Sequence, residues 1–205
     1  MLIPLEQDYA RAVALWREWN SRINVISRKD EDAVFAHHIL HSLAIAQYLE
    51  LYYPGVDGMP QSVLDVGCGG GFPGIPLAMV MPEAKFTLCD SIGKKIKVAQ
   101  AVADGLGLKN VECVNARVET LEGKWDWIVS RAVTSLENFY PWVKGRFRRS
   151  ILYLKGGDID AEIAALREKY HIPTANIRTW RIDSWLKDEY FAEKFVIEIA
   201  CKALK

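Results

Sequence analysis

Residues Val63-Leu64-Asp65-Val66-Gly67-Cys68-Gly69-Gly70-Gly71-Phe72-Pro73-Gly74 form a short apolar run, an acid and then a turn crowded with glycine. A side chain with a Cβ clashes in the left-handed conformations such a turn uses, and holds a ligand away from the backbone. The segment therefore predicts the first strand of an α/β sheet, ending in a loop that lets the chain approach a nucleotide-like ligand. A glycine-rich turn also serves plain strand-to-helix packing, and spacing alone leaves that alternative open.

The acid narrows the choice. In dinucleotide-binding proteins a pyrophosphate rests on the glycines and on the following helix N-terminus, where a carboxylate such as Asp65 is poorly placed. S-adenosylmethionine carries no phosphate, and its sulfonium and ammonium groups tolerate or attract a nearby carboxylate. A phosphate-binding P-loop is excluded, because no Gly-Lys-Ser or Gly-Lys-Thr follows.

Length and composition set the frame. The 205 residues, half of them hydrophobic and 25% charged, suit one globular α/β unit with a helical extension. We expect a helical cap over residues 1–58 packed on a core over residues 59–205. A formal net charge of zero leaves no global attraction to nucleic acid or membrane, so any RNA partner must be met by a local basic face. Cys68, Cys89, Cys113 and Cys201 stand singly and read as buried free thiols in a reducing compartment. No secretory leader is legible at the N-terminus, and no apolar stretch reaches the roughly 18 residues that span a bilayer. The expectation is a soluble, cytoplasmic, metal-free monomer.

Along the chain, Leu5, Tyr9, Val13, Trp16 and Trp19 recur at helical spacing and predict an amphipathic helix from Leu5 to Asn20. A second helix is expected to start at the acids Asp30-Glu31-Asp32 and to run to Tyr52. From Ser62 the texture changes to apolar runs alternating with helical segments, as in a parallel sheet wrapped by helices. Strands are expected at Ser62–Val66, Lys85–Cys89, Val111–Asn115, Trp127–Ser130, Ser150–Leu154, Asn176–Ile182 and Lys194–Cys201, the last two antiparallel. Helices are expected at Ile75–Val80, Gly93–Leu106, Leu136–Lys144 and Asp160–Tyr170. That pattern matches a class I S-adenosylmethionine-dependent methyltransferase: Rossmann-like α/β, with a seven-stranded, mostly parallel sheet.

Asp90 stands just past the second expected strand, where a carboxylate receives the ribose hydroxyls of an adenosine cofactor; a helix-capping role is the alternative. After the third strand, Glu119 lies where such enzymes meet the adenine ring, or else is a solvated charge. At the end of the fourth, Arg131 orients a carboxylate or an RNA phosphate, or forms a structural ion pair. No Asn or Asp followed by Pro-Pro and an aromatic residue stands there, as in enzymes that methylate exocyclic amines. No cysteine sits where a cytosine C5 enzyme needs its nucleophile. Guanine N7 has a free lone pair and loses no proton, so a site that supplies only alignment suits it.

His37 and His41 are spaced i,i+4, but without an intervening Glu or a third ligand they do not make a zinc site. His38 reads as a packing or substrate-side hydrogen-bonding residue. Candidate RNA contacts are Arg22, Arg28, Lys94, Lys95, Arg146, Arg148 and Arg149, with Lys94-Lys95 and the Arg146–Arg149 group expected on the crevice rim. A small-molecule or protein methyltransferase of the same fold, or a cofactor-binding regulator without turnover, remains an alternative.

Several motifs together resemble one bacterial family. Trp19-Asn20, Ile23-Asn24-Val25-Ile26-Ser27, His38-Ile39-Leu40-His41-Ser42-Leu43, Leu64 to Ala78, Asp90-Ser91 with Gly93-Lys94-Lys95, Arg117-Val118-Glu119, Ser130-Arg131-Ala132 and Leu154-Lys155-Gly156 resemble the ribosomal RNA small subunit methyltransferase G family, also called glucose-inhibited division protein B. The resemblance implies methyl transfer from S-adenosylmethionine to N7 of a guanine in the 530 loop of 16S ribosomal RNA, free or in the small subunit. It carries cofactor binding onto Gly67, Phe72, Val118, Glu119 and Arg131; Asp65, Gly69 and Asp90 are added from spacing. His41 departs from the family pattern, which commonly has Asp there, and this raises the question of an altered target contact.

Overall fold

Seven strands assemble into one sheet in the computed structural model, which describes residues 3–55 and 60–204. They are β1 (Ser62–Val66), β2 (Lys85–Asp90), β3 (Val111–Asn115), β4 (Trp125–Arg131), β5 (Phe147–Gly156), β6 (Ile177–Arg181) and β7 (Lys194–Ala200). Their order is β3-β2-β1-β4-β5-β7-β6. The first five are parallel, and β7 runs antiparallel between β5 and β6. The expected strand set is present, with β4 and β5 longer than the apolar runs alone suggested. Six α-helices accompany it: α1 (Ala10–Asn20), α2 (His41–Tyr52), α3 (Gly74–Val80), α4 (Gly93–Leu106), α5 (Leu136–Val143) and α6 (Asp160–Tyr170).

Strand β1 shows why the sheet is covered on both faces. Four of its five residues are buried, and successive side chains alternate between two apolar layers. Val63 joins Trp16, Ile39, Leu43, Ile75 and Phe86 on the face covered by α1 to α4. Leu64 and Val66 join Leu136, Phe139, Ile151 and Leu166 on the face covered by α5 and α6. Helix α4 stops at Gly107, whose φ of 71° is left-handed, while the Leu108 N–H donates to the Ala103 carbonyl at 3.0 Å.

The N-terminal third differs from expectation in detail. The first helix begins as a 3-10 turn over Glu6–Tyr9, and Leu5 is exposed rather than part of the buried stripe. The expected Asp30–Tyr52 helix is three pieces: a 3-10 turn at Arg28–Asp30, a π-helix at Val34–Leu40 and then α2. Tertiary contacts outweigh local propensity there, because His37 is drawn to Asp30 (Nδ1 to Oδ1, 2.8 Å) while His38 turns to Arg131. The expected boundary between residues 58 and 59 lies outside the described residues. Of the cysteines, Cys68 and Cys89 are buried, Cys113 is half-buried and Cys201 is exposed, which corrects the uniform burial expected of them.

Two anchors fix the helical extension to the sheet. Trp16 Nε1 donates to the Gly70 carbonyl at 2.8 Å. The fully buried carboxylate of Glu198 on β7 accepts hydrogen bonds from Tyr48 (2.6 Å), Tyr53 (2.5 Å) and Ser150 (2.5 Å), with Arg178 at 3.7 Å. A buried carboxylate is tolerated only with such a set of partners. No helix among the described residues is long and apolar enough to cross a membrane.

Candidate functional site

The C-terminal ends of β1, β2, β3 and β4 open onto one crevice of about 400 Å³, the usual ligand position in an open parallel sheet. Its floor begins at Gly67. That residue has φ 69°, and a Cβ built there would stand 2.5 Å from Cγ2 of Val133. Both the backbone conformation and the space therefore require glycine. Gly69 also has a left-handed φ of 56°, but nothing lies within 4 Å of its would-be Cβ.

Asp90 ties the first two loops together. Its Oδ2 accepts from the Gly69 N–H (2.9 Å) and its Oδ1 from the Ile92 N–H (2.8 Å), so it closes a local turn ahead of α4 while lining the crevice. A carboxylate has lone pairs left after two such bonds, which keeps it able to receive a further donor. Val118 and Glu119 lie on a single 3-10 turn, Val118–Thr120, on the same wall; Val118 is buried and Glu119 exposed.

Arg131 forms the opposite wall at the end of β4. One guanidinium nitrogen donates to Nδ1 of His38 at 2.9 Å, the other to the His37 carbonyl at 3.4 Å. Its Cζ lies 5.0 Å from the Phe72 ring centroid. Burial pulls this guanidinium below its ordinary value, opposed by Tyr190, Asp65 and Asp30. Burial and the Arg131 charge push His38 down to about 3, so its imidazole is neutral.

Gly67, Asp90, Val118, Glu119 and Arg131 thus meet around one crevice, whereas Asp65, Gly69 and Phe72 are not part of its lining. Asp65 is fully buried and accepts the Gly74 N–H at 2.7 Å, which shapes the glycine loop from within. Burial pushes its carboxyl up to about 8. Phe72 is 3% exposed and stacks on Trp16 at 4.3 Å, so it supports Arg131 from below.

His41 is buried too. It stands edge-on to Tyr190 and Phe191, and burial holds its pKa well below the ordinary value. This imidazole among aromatic rings is not part of the crevice lining.

The basic candidates separate into three groups. Lys94 and Lys95 open α4, and Lys95 lines the crevice. Arg22 pairs with Glu18 at 3.0 Å and lies over Trp19, while Arg28 sits in the 3-10 turn before the π-helix. Arg146, Arg148 and Arg149 stand at the start of β5, the edge opposite the strand ends that form the crevice. Arg148 donates to the Lys124 carbonyl at 2.6 Å and faces Asp126 at 3.6 Å. The expectation that this triplet lines the rim is overturned by strand direction.

The structure adds lining residues that sequence reasoning passed over: Ile92, Val133, Trp142 and Cys89. Burial raises the Cys89 thiol to about 11, so it is no nucleophile, and the described lining holds no histidine. Tyr190 also went unnoticed; it stacks on His37 at 3.6 Å, with the Lys194 ammonium 3.7 Å from its ring centroid. No motif in the C-terminal third marks it. Among the described residues no group of three His, Cys, Asp or Glu side chains could hold a metal ion.

Comparison with known proteins bears on both family and fold. The family described as rRNA small subunit methyltransferase G matches residues 5–181. A relative from Christiangramia forsetii, named ribosomal RNA small subunit methyltransferase G, is 45% identical over 196 residues, covering 92% of this chain and 86% of that protein. One of the same name from Flavobacterium johnsoniae is 44% identical over 204 residues, covering 96% and 91%. Among solved structures, magnesium protoporphyrin IX methyltransferase from Synechocystis PCC 6803 with bound SAM has a TM-score of 0.65 at 16% identity, covering 96% and 95%, a likeness of fold alone.

Proposed function

Because this chain belongs to the rRNA small subunit methyltransferase G family, we propose that it transfers the methyl group of S-adenosylmethionine to N7 of a guanine in the 530 loop of 16S ribosomal RNA. The observation that carries the reading is the Gly67 turn, whose missing Cβ leaves room beneath Val133 at the mouth of a crevice walled by Asp90, Glu119 and Arg131. A crevice with carboxylates on one wall and a guanidinium on the other, and with Gly67 letting the chain turn tightly under Val133, fits a ligand bearing an adenosine and an amino-acid end. Gly67, Asp90, Val118, Glu119 and Arg131 are the residues we assign to hold it.

The bound donor supplies an electrophilic methyl carbon on a sulfonium. In the reaction the N7 lone pair forms the new C–N bond as the C–S bond breaks, and no proton has to leave the guanine. The protein's part is therefore alignment and a suitable field rather than acid–base or covalent catalysis. Arg131, kept in place by His38 and by the His37 carbonyl, orients an anionic group; Asp90 and Glu119 accept hydrogen bonds from hydroxyl and amine groups. Asp65 holds the glycine loop in shape through Gly74. We further propose that it acts in the cytoplasm as a monomer, without a metal.

The test is incubation of the protein and radiolabelled donor with small ribosomal subunits, and with their naked RNA, from a strain lacking the modification. Label at a guanine N7 in the 530 loop is the expected result. Label only in protein or small metabolites, or donor binding with no transfer, would overturn the reading.

A further inference from the structure

Arg146 differs from its exposed neighbours Arg148 and Arg149 in being half-buried. From just before β5 it spans to the turn that follows β3, where one guanidinium nitrogen donates to the Glu119 carbonyl at 2.7 Å and the other to the Leu121 carbonyl. That turn is short. Three residues, Val118–Thr120, carry it, and its own bonds are the Leu121 N–H to the Val118 carbonyl (3.1 Å) and the Thr120 amide and hydroxyl to the Arg117 carbonyl. A three-residue 3-10 turn has little intrinsic stability. Val118 is anchored by burial in the apolar layer beneath α5. Glu119 is exposed, so the place of its carboxylate on the crevice wall is set by its backbone.

We propose that Arg146 is a positioning residue for the donor site: its two-pronged grip on the Glu119 and Leu121 carbonyls holds Val118 and Glu119 on the crevice wall. The planar fork of arginine suits this task, since two carbonyls two residues apart are met by two nitrogens of one rigid group. The proposal rests on the methyltransferase reading of the crevice. It also removes Arg146 from the set of RNA contacts.

The test is calorimetry with S-adenosylhomocysteine on the full-length wild type and on Arg146→Met, Arg146→Lys, Glu119→Ala and the double variant Arg146→Met with Glu119→Ala. We expect Arg146→Met to weaken binding about tenfold, Arg146→Lys to recover part of the loss through one carbonyl, and amide exchange at residues 118–121 to quicken. In the Glu119→Ala background the Arg146→Met effect should shrink to a few-fold at most, because part of its action passes through Glu119. Undiminished losses in that background, or unchanged affinity in both single Arg146 variants, would overturn the proposal. So would a lower salt slope of RNA binding in Arg146→Lys or Arg146→Met, the mark of a lost phosphate contact. If Arg146→Met does not fold, Arg146→Lys carries the test, with a few-fold loss and faster exchange expected. A wild type that fails to bind S-adenosylhomocysteine would instead refute the donor reading itself.

Discussion

Nδ1 of His38 accepts a hydrogen bond from Nη2 of Arg131 at 2.9 Å. A guanidinium can only donate, so Nδ1 is the bare nitrogen and the imidazole proton sits on Nε2. The pair therefore has a fixed tautomer and polarity, and burial keeps the ring neutral down to about pH 3. Replacing Arg131 by Lys leaves one ammonium to serve both the His38 ring and the His37 carbonyl, which a point donor does less well than a fork. Donor affinity should fall by about tenfold in Arg131→Lys and further in Arg131→Met, by calorimetry. Any inflection of the rate between pH 5 and 8 should persist in His38→Gln, because His38 does not titrate there.

Asp65 should make stability depend on pH. Its carboxyl is raised from 3.8 to about 8, first by burial, against the Gly74 N–H and the Arg131 charge, which lower it. The folded state then holds a proton that the unfolded chain releases above pH 4. The contribution is thus fully present below about pH 4 and is lost as pH rises through 8. Asp65→Asn keeps an acceptor for Gly74 without the charge. Urea unfolding from pH 5 to 9 should show a flatter profile for this variant, and greater stability than wild type at pH 9.

The two left-handed glycines should behave differently. Gly67→Ala meets both an adverse φ and the Val133 side chain at 2.5 Å, so donor binding should be lost by two orders of magnitude or more. Gly69→Ala meets open space and pays only the backbone strain, about 1–2 kcal/mol. A melting-temperature drop with donor affinity within tenfold of wild type is expected there.

RNA binding should distinguish the two edges of the sheet. Lys94→Ala with Lys95→Ala, at the crevice, should weaken binding and lower the slope of log K against log salt by roughly one to two, the value for one or two lost phosphate contacts. Arg148→Ala with Arg149→Ala, at the strand-start edge, should leave that slope unchanged. Filter binding from 50 to 200 mM salt reads both.

Trp16 should couple the helical extension to donor binding. Trp16→Phe keeps the stacking on Phe72 but removes the hydrogen bond to Gly70, leaving a buried carbonyl with one partner fewer. We expect a stability loss of about 1 kcal/mol and a several-fold loss of donor affinity, by denaturant titration and calorimetry.

Much of the sheet was legible because central strands such as β1 and β4 carry apolar runs bounded by turn residues, and parallel burial leaves such runs intact in sequence. The π-helix was not, since the acids Asp30 to Asp32 look like an α-helix start and the wider turn is imposed from afar by Arg131 and Tyr190. At the site, strand ends offered Asp90, Glu119 and Arg131 as candidates with structural alternatives open, and the family resemblance singled out Gly67, Glu119 and Arg131. Arg146, Arg148 and Arg149 were misread because clustering along the chain says nothing about which edge of a sheet a charge occupies. Strand direction did carry that information: they precede an expected strand instead of following it. Tyr190 left no local signal, because its partner His37 is remote in the chain.

The Glu198 carboxylate closes a loop in time as well as in space. Tyr48 donates to it across 150 residues of chain, and Tyr53 across 145. During synthesis, α2 therefore emerges long before the acceptor that fixes it, and the tyrosine hydroxyls wait for the last strand to leave the ribosome. A nascent chain lacking β7 keeps the Trp16 anchor on Gly70 but not the Glu198 one, so α2 takes its final hold only when β7 folds onto the sheet.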